Sequence, residues 1–255
     1  MRWFLLNASP DIREQLHHIA PPETPADVRH VPVDGVVMTD AELDHSLGLL
    51  LLREAGMMPL FASRAVAAIL SDDSRILATT RAFSEVPLTE LALDKPIPLT
   101  NRDGSESGLS IEAFSVPAGP PRFASHNHEG HTVGLMVRED ATRRACAFVP
   151  GCGGLDPKML ERLAPADALL FDGTFWQDDE LIALRIGSRT ARQLDHLPIT
   201  GPGGSLGLLA DLPCQHRVYT HINNTNPILL EDSPEREVVT RAGLTVGYDG
   251  WRVEI

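Results

Sequence analysis

Three apolar runs in this sequence end in residues that ligate metals. Val33 to Met38 runs into Thr39, Asp40, Glu42, Asp44 and His45, Ala168 to Phe171 runs into Asp172, and Val218 to Thr220 runs into His221. Strands of a layered α/β fold deliver their C-terminal ends to a common edge, where loops hold sites. The window from Asp40 to His45 packs three carboxylates and one imidazole together. Like charges this close repel unless solvent or a cation neutralises them. The window therefore reads either as a solvated acidic turn, with Asp44 favoured by the dipole of the next helix, or as a metal site. The apolar strand before it and the leucine-rich stretch after it point to the site. Asp172 alone reads as an Asp-Gly turn, and His221 alone as a buried histidine satisfied by backbone. With His196 from RQLDHLPI, these positions supply Asp44, His45, Asp172, His196 and His221, an oxygen and nitrogen donor set without a thiolate.

Other candidates are less specific. His126 and His128 of HNHEGH can bind a metal through alternating imidazoles, or be exposed histidines of a proline-rich loop; His131 begins a strand and is expected to line a substrate pocket. The glycine-rich stretches PGCGG and TGPGG lack the spacing and context of phosphate loops, and no GxSxG elbow marks a serine hydrolase. The three cysteines, Cys146, Cys152 and Cys214, form no CxxC pair, and their odd number is no disulfide framework, which fits a reducing compartment. Cys152 reads as an ordinary small loop residue rather than a reactive thiol.

The elements that must position these residues follow from periodicity and punctuation. RWFLLN reads as a strand and Ser9-Pro10 as a helix start, with the helix running to Ile19. Pro21, Pro22 and Pro25 then make a stiff connector. A strand at Val33–Met38, a helix at Ser46–Ala55 ending at Gly56 and a strand at Pro59–Ala62 make a βαβ pattern. Helices are expected at Arg64–Leu70 and before Val86, and strands at Leu109–Val116, Thr132–Val137 and Arg144–Val149. Asp156-Pro157 and Ser233-Pro234 open helices to Leu163 and Arg241. A helix at Ser205–Leu212 and a hairpin of Thr245–Tyr248 with Trp251–Glu254 about Asp249-Gly250 complete the reading. Runs of strands separated by helices argue for mixed sheets with helices outside them.

Composition bounds the function. In 255 residues, 35 Asp and Glu against 22 Lys and Arg give a net charge of -13, which repels phosphate backbones and anionic membranes, so no nucleic-acid partner is expected. Hydrophobic residues at 43% supply enough apolar surface for a folded core. The longest apolar run, Leu47 to Leu52, falls far short of the roughly 20 residues a bilayer span needs, and the first residues lack a cleavage signal. A cytoplasmic protein is expected.

Four motifs in this order, LLNASPDI, TDAELDHSLGLLLLRE, FDGTFWQDDEL and HINNTNPIL, resemble the coenzyme PQQ (pyrroloquinoline quinone) synthesis protein B family of the metallo-β-lactamase superfamily. The resemblance covers essentially the whole chain, and its last two motifs are long and specific. It implies an α/β (α+β) fold, the αββα four-layer sandwich of the metallo-β-lactamase type, in one domain over residues 1–255 with metals at a sheet edge. Where the superfamily carries HxHxDH, this sequence has Asp40 and Glu42 in the two leading positions and keeps Asp44 and His45. The first metal site is thus altered, and the second is served by Asp44, His45 and His221. His196 resembles the histidine after the family's glycine-rich segment, and Asp172 the acidic residue after a buried strand. Cys152 falls where the superfamily often has a metal-bridging Asp. Family members usually begin with a further strand, a Gly-rich turn and a cysteine cluster for structural zinc; this sequence begins at the following strand, so the domain is read as N-terminally shortened and without structural zinc.

The activity the resemblance implies is an Fe(II)- and oxygen-dependent hydroxylation of a tyrosine-derived PQQ precursor, with that precursor and molecular oxygen as partners. An alternative family assignment is a carrier that transports PQQ or its precursor to the periplasm. One carboxylate with two imidazoles matches the facial set of non-haem iron oxygenases. Hydrolysis fits less well, because an altered first site removes the paired metals that activate water, and a chain without an apolar span cannot itself cross a bilayer. In this reading Asp40 and Glu42 are catalytic: they hold the precursor's amines or take its phenolic proton.

Overall fold

The computed structural model describes residues 2–19, 31–125 and 127–255. The proline connector at Pro21, Pro22 and Pro25 and the candidate ligand His126 lie outside the described residues. The chain divides into two compact units, one of Met1–Ser115 with Gly119–Val133, the other of Val116–Ala118 with Gly134–Ile255.

In the first unit β1 (Phe4–Leu6) leads through α1 (Ile12–Ile19) to β2 (Gly35–Val37). Two single-turn helices, α2 (Leu43–Ser46) and α3 (Gly48–Leu51), connect β2 to β3 (Leu60–Ala62). Next come α4 (Arg64–Ala68), a π-helical turn at Ile69–Asp73, α5 (Ile76–Thr80) and β4 (Leu88–Glu90). The strands pair in parallel in the order β1-β2-β3-β4. A parallel sheet is covered on both faces, so its inner strands are apolar throughout rather than alternating; Gly35, Val36 and Val37 are all buried. One core packs Ile12 and Leu16 of α1, Leu49 of α3, Val66 of α4 and Leu77 of α5 against Val36 and Leu60. The unit also holds β5 (Ile97–Thr100) and β6 (Glu106–Ser115), an antiparallel pair about the Asn101–Ser105 turn.

The second unit opens with β7 (Val133–Glu139, all but its first residue) antiparallel to β8 (Ala145–Val149). From there each connection crosses over to a parallel neighbour. Helix α6 (Pro157–Leu163) leads to β9 (Ala168–Asp172), the short helices α7 (Glu180–Ala183) and α8 (Ser205–Ala210) lead to β10 (His216–Thr220), and α9 (Pro234–Arg241) leads to β11 (Thr245–Val246). Two of these helices begin as their sequences dictate. The Asp156 side chain accepts from the Met159 amide with Pro157 in the first turn, and the Ser233 hydroxyl accepts from the Arg236 amide with Pro234 in the first turn.

Three elements differ from the sequence expectation. The helix expected over Ser46–Ala55 is two separate turns, Leu43–Ser46 and Gly48–Leu51. The first helix starts at Ile12, because Ser9, Pro10 and Asp11 form a preceding turn. The terminal hairpin does not form: Thr245–Val246 pairs in parallel with Val218–Tyr219, and Trp251–Glu254 is not a strand. Hairpin chemistry at Asp249-Gly250 loses to the crossover through α9, which delivers β11 to the neighbouring edge of β10.

Candidate metal centre

The end of β2 is built around a buried carboxylate. Asn7, at a left-handed φ of 63°, receives the Thr39 amide on Oδ1 at 2.9 Å and donates through Nδ2 to Thr39 Oγ1 at 2.7 Å. The Thr39 hydroxyl then donates to Asp40 Oδ2 at 2.7 Å, and the Glu42 amide donates to Asp40 Oδ1 at 2.9 Å. His45 Nδ1 lies 2.8 Å from both Asp40 oxygens. Burial opposes the Asp40 charge, but His45, Thr39 and the Glu42 amide outweigh it and hold the carboxyl below the usual carboxylate range. An ionised carboxylate only accepts, so His45 Nδ1 carries a proton, and whenever the ring is neutral its lone pair is on Nε2. This is the arrangement in which a carboxylate fixes a histidine as a metal donor.

Backbone seats the turn that carries Asp44 and His45. The Ala8 amide donates to His45 O at 2.7 Å, and the Gly48 amide donates to Ala8 O at 2.9 Å. A Cβ at position 48 would lie 2.4 Å from Ser9 O and 2.6 Å from Ala8 O, so no side chain fits there. This close approach explains why the leucine-rich stretch is interrupted after Leu47. Asp44 and Glu42 are exposed. Although the Glu42 residue as a whole is exposed, protein packed around its carboxyl displaces water, and this, with the charges of Asp40 and Asp44, raises the carboxyl above its ordinary range against the pull of His45 and Arg122. His131 is half-buried, with Nδ1 3.1 Å from Thr132 Oγ1, and the next residue, Val133, donates its amide to Thr39 O at 2.8 Å. The loop of His131 therefore joins the chain beside the Asp40 turn.

In the second unit the register of β9 with β10 sets Thr220 beside Asp172, so His221 follows at the strand end where Asp172 stops. Asp172 has no exposed surface and takes four hydrogen bonds. Oδ1 accepts from the Thr174 amide at 3.0 Å and hydroxyl at 2.6 Å; Oδ2 accepts from the Cys152 amide at 3.0 Å and from His196 Nδ1 at 2.7 Å. Burial would raise this carboxyl, but His196 and then His221 hold it far below its ordinary range. His196 and His221 stack with ring centroids 5.4 Å apart. Ligand-capable atoms of Asp172, His196 and His221 lie within 4.8 Å of one another. Both Asp172 oxygens are thus engaged by hydrogen bonds, an arrangement in which a carboxylate orients imidazoles. The Cys152 thiol points to Gly154 O at 3.0 Å and burial pushes it up to about 12, so it is no thiolate donor at neutral pH.

The two long motifs interlock behind this centre. Asn226 Nδ2 donates to Gly173 O at 2.8 Å, the Asn223 amide donates to Thr174 O at 3.1 Å, and buried Glu180 receives the Trp176 amide at 2.7 Å and the Thr225 hydroxyl at 2.5 Å. Glu180, Thr225 and Asn226 are support residues that sequence reasoning passed over, as it did Asn7 and Thr174. The available signal was the threonine beside each key carboxylate, in Thr39-Asp40 and Asp172-Gly173-Thr174.

A β-lactamase superfamily domain matches residues 2–222. Coenzyme PQQ synthesis protein B of Rhizobium meliloti is 40% identical over 99% of this chain and 82% of its own length. Its counterpart from Gluconacetobacter diazotrophicus is 38% identical over 98% and 83%. The crystal structure of zinc-bound PqqB from Methylobacterium extorquens superposes with a TM-score of 0.88 at 37% identity, covering 100% of this chain and 84% of that one. A diphosphatase of the PhnP family shares the fold, with a TM-score of 0.64 at 18% identity over 99% of this chain and 79% of its own. The fold is that of the metallo-β-lactamases, and the chain belongs to the coenzyme PQQ synthesis protein B family.

Proposed function

We propose that this chain acts in PQQ biosynthesis as an Fe(II)- and oxygen-dependent hydroxylase of a tyrosine-derived precursor. The observation that carries the reading is the hydrogen bonding of His45, His196 and His221 through Nδ1 to a carboxylate or a hydroxyl, the tautomer in which a neutral imidazole ligates a metal through Nε2. The donor set proposed for the metal is Asp44, His45 and His221, with Asp172 and His196 as further ligands or as groups that orient a ligand, and Asp40 holding the His45 ring. A nitrogen and oxygen set of this kind suits non-haem iron and also accepts zinc, which binds such donors more tightly than Fe(II). The zinc of the Methylobacterium extorquens structure is consistent with that ordering.

The metal, when bound, supplies the activation of oxygen. In the overall reaction a ring C–H becomes C–OH, the second oxygen atom leaves as water, and an added reductant supplies the two electrons. In this reading Glu42, whose carboxyl is raised, accepts the phenolic proton as the ring is oxidised. Asp40, already committed to His45, serves the reaction by holding that ring. Among the described residues no helix is long and apolar enough to cross a membrane. The test is anaerobic loading with Fe(II), then addition of reductant, a tyrosine-derived precursor and labelled oxygen, followed by mass spectrometry. Incorporation of label into the ring is expected. Tight binding of PQQ or precursor by the iron-loaded protein with no oxygen added would replace this reading with that of a carrier.

A further inference from the structure

We infer that Thr174 is a positioning residue that sets the tautomer of His221, so that one carboxylate, Asp172, orients two imidazoles, one directly and one through a hydroxyl. Thr174 Oγ1 lies 2.6 Å from Asp172 Oδ1, 2.9 Å from His221 O and 2.7 Å from His221 Nδ1. It has one proton to give. Two of the three neighbours, the carboxylate and the carbonyl, can only accept. The shortest contact is to the ionised carboxylate, where a charge-assisted bond is strongest. The third contact is then a hydrogen bond only if His221 Nδ1 donates to the hydroxyl. Nδ1 therefore carries a proton, and in the neutral ring Nε2 carries the lone pair.

A direct bond cannot do this work, because His221 Nδ1 is 3.7 Å from Asp172 Oδ1, beyond hydrogen-bonding range. His196 needs no intermediary, with Nδ1 2.7 Å from Asp172 Oδ2. The hydroxyl also meets the chain where it is least relaxed. His221 has a left-handed φ of 53°, and this turns its own carbonyl toward Thr174 as well as its ring. Threonine thus serves as an adaptor for a ring that the strand end sets one atom too far from the carboxylate.

The inference deepens the reading of His221 as a metal donor and rests on it only for the effect on metal binding; the tautomer itself is read in metal-free protein. Long-range proton–nitrogen correlation at pH 8, where free imidazoles are neutral, distinguishes the two neutral forms, with His221 assigned from its loss in His221→Gln. The parent and Thr174→Ser are expected to show His221 protonated on Nδ1. Thr174→Val, which keeps shape and removes the hydroxyl, is expected to lose that signature and to bind Co(II) about 10–100-fold more weakly, the usual cost of losing such a partner, while Thr174→Ser stays near the parent. A His221 proton on Nε2 in the parent overturns the inference without any variant. So does a Thr174→Val protein that keeps the Nδ1 proton. Should Thr174→Val fail to fold, the parent and Thr174→Ser spectra decide. A wrong metal or reaction leaves the tautomer result standing, and a wrong tautomer leaves the hydroxylation assay to speak for itself.

Discussion

Asp40 and Asp172 are the same device assembled in two ways. Each is a buried carboxylate at the C-terminal end of a parallel strand, each accepts from the amide two residues on and from a threonine hydroxyl, and each holds a histidine by Nδ1. They differ in where the partners come from. All donors to Asp40 lie within five residues of it in the chain, whereas Asp172 gathers its donors from positions 152, 174 and 196. The first arrangement is a folded motif; the second exists only once three connections of its unit are in place.

Removing the donor rings should have the largest effect. His45→Ala and His221→Ala are each expected to abolish hydroxylation and to weaken metal binding by more than the roughly 10–100-fold typical of residues behind the ligands. The thermal midpoint should fall more in His45→Ala, which leaves buried Asp40 without its imidazole partner, than in His221→Ala, whose ring is half-buried. Metal content by elemental analysis and affinity by calorimetry check this. Full affinity for one metal in His45→Ala would show that the two devices do not serve the same ion.

Next come the carboxylates. Asp172→Asn puts an NH2 group against donors and should cost about 3 kcal/mol, while Asp40→Asn, with fewer and more local partners, should cost about 1–2 kcal/mol. Urea unfolding gives both numbers, and equal costs would erase the distinction. Both carboxyls are held below their unfolded values. Their contribution is therefore complete above an unfolded pKa of about 4 and is lost as pH falls toward the lower folded values. Stability measured from pH 7 to pH 3 should fall chiefly below about pH 4, and less steeply in Asp172→Asn.

Backbone substitutions separate the supports. Gly48→Ala, which meets two carbonyl oxygens, should destabilise by about 1–3 kcal/mol or more. Gly207→Ala in α8, with nothing within 4 Å of the added carbon, should stabilise by about 0.5–1 kcal/mol. The smallest signal is chemical. All three cysteines lie in the second unit, and burial pushes Cys146 and Cys152 up to about 12. Native protein at pH 8 should alkylate slowly, and labelling in rising urea should report the opening of that unit alone.

The same contrast explains what the sequence made legible. Asp156-Pro157 and Ser233-Pro234 were readable because a cap is a local bond. The Asp40–His45 window stood out because its partners are neighbours in sequence, and Asp172 and His221 because a buried run ends in a polar residue. Thr174 was invisible as a partner of His221, because that contact spans 47 positions. The split after Leu47 depends on the backbone of Ala8 and Ser9, far away in sequence. Leu88–Glu90 is an exposed edge strand without alternation, and Ile97–Thr100 contains Pro98, which speaks against a strand.

Left-handed backbone at Asn7 and His221 has a consequence for anyone who would engineer this protein. Both follow directly on a strand, and a search for strain relief would propose glycine at each. Asparagine tolerates that conformation, but histidine holds it at about 1 kcal/mol. Glycine at 221 would ease the backbone and remove a donor ring; glycine at 7 would leave the Thr39 amide and hydroxyl without their clamp. Stability selection on this fold therefore runs against its chemistry at these two strand ends, and a thermostable variant should be screened for metal binding before it is screened for yield.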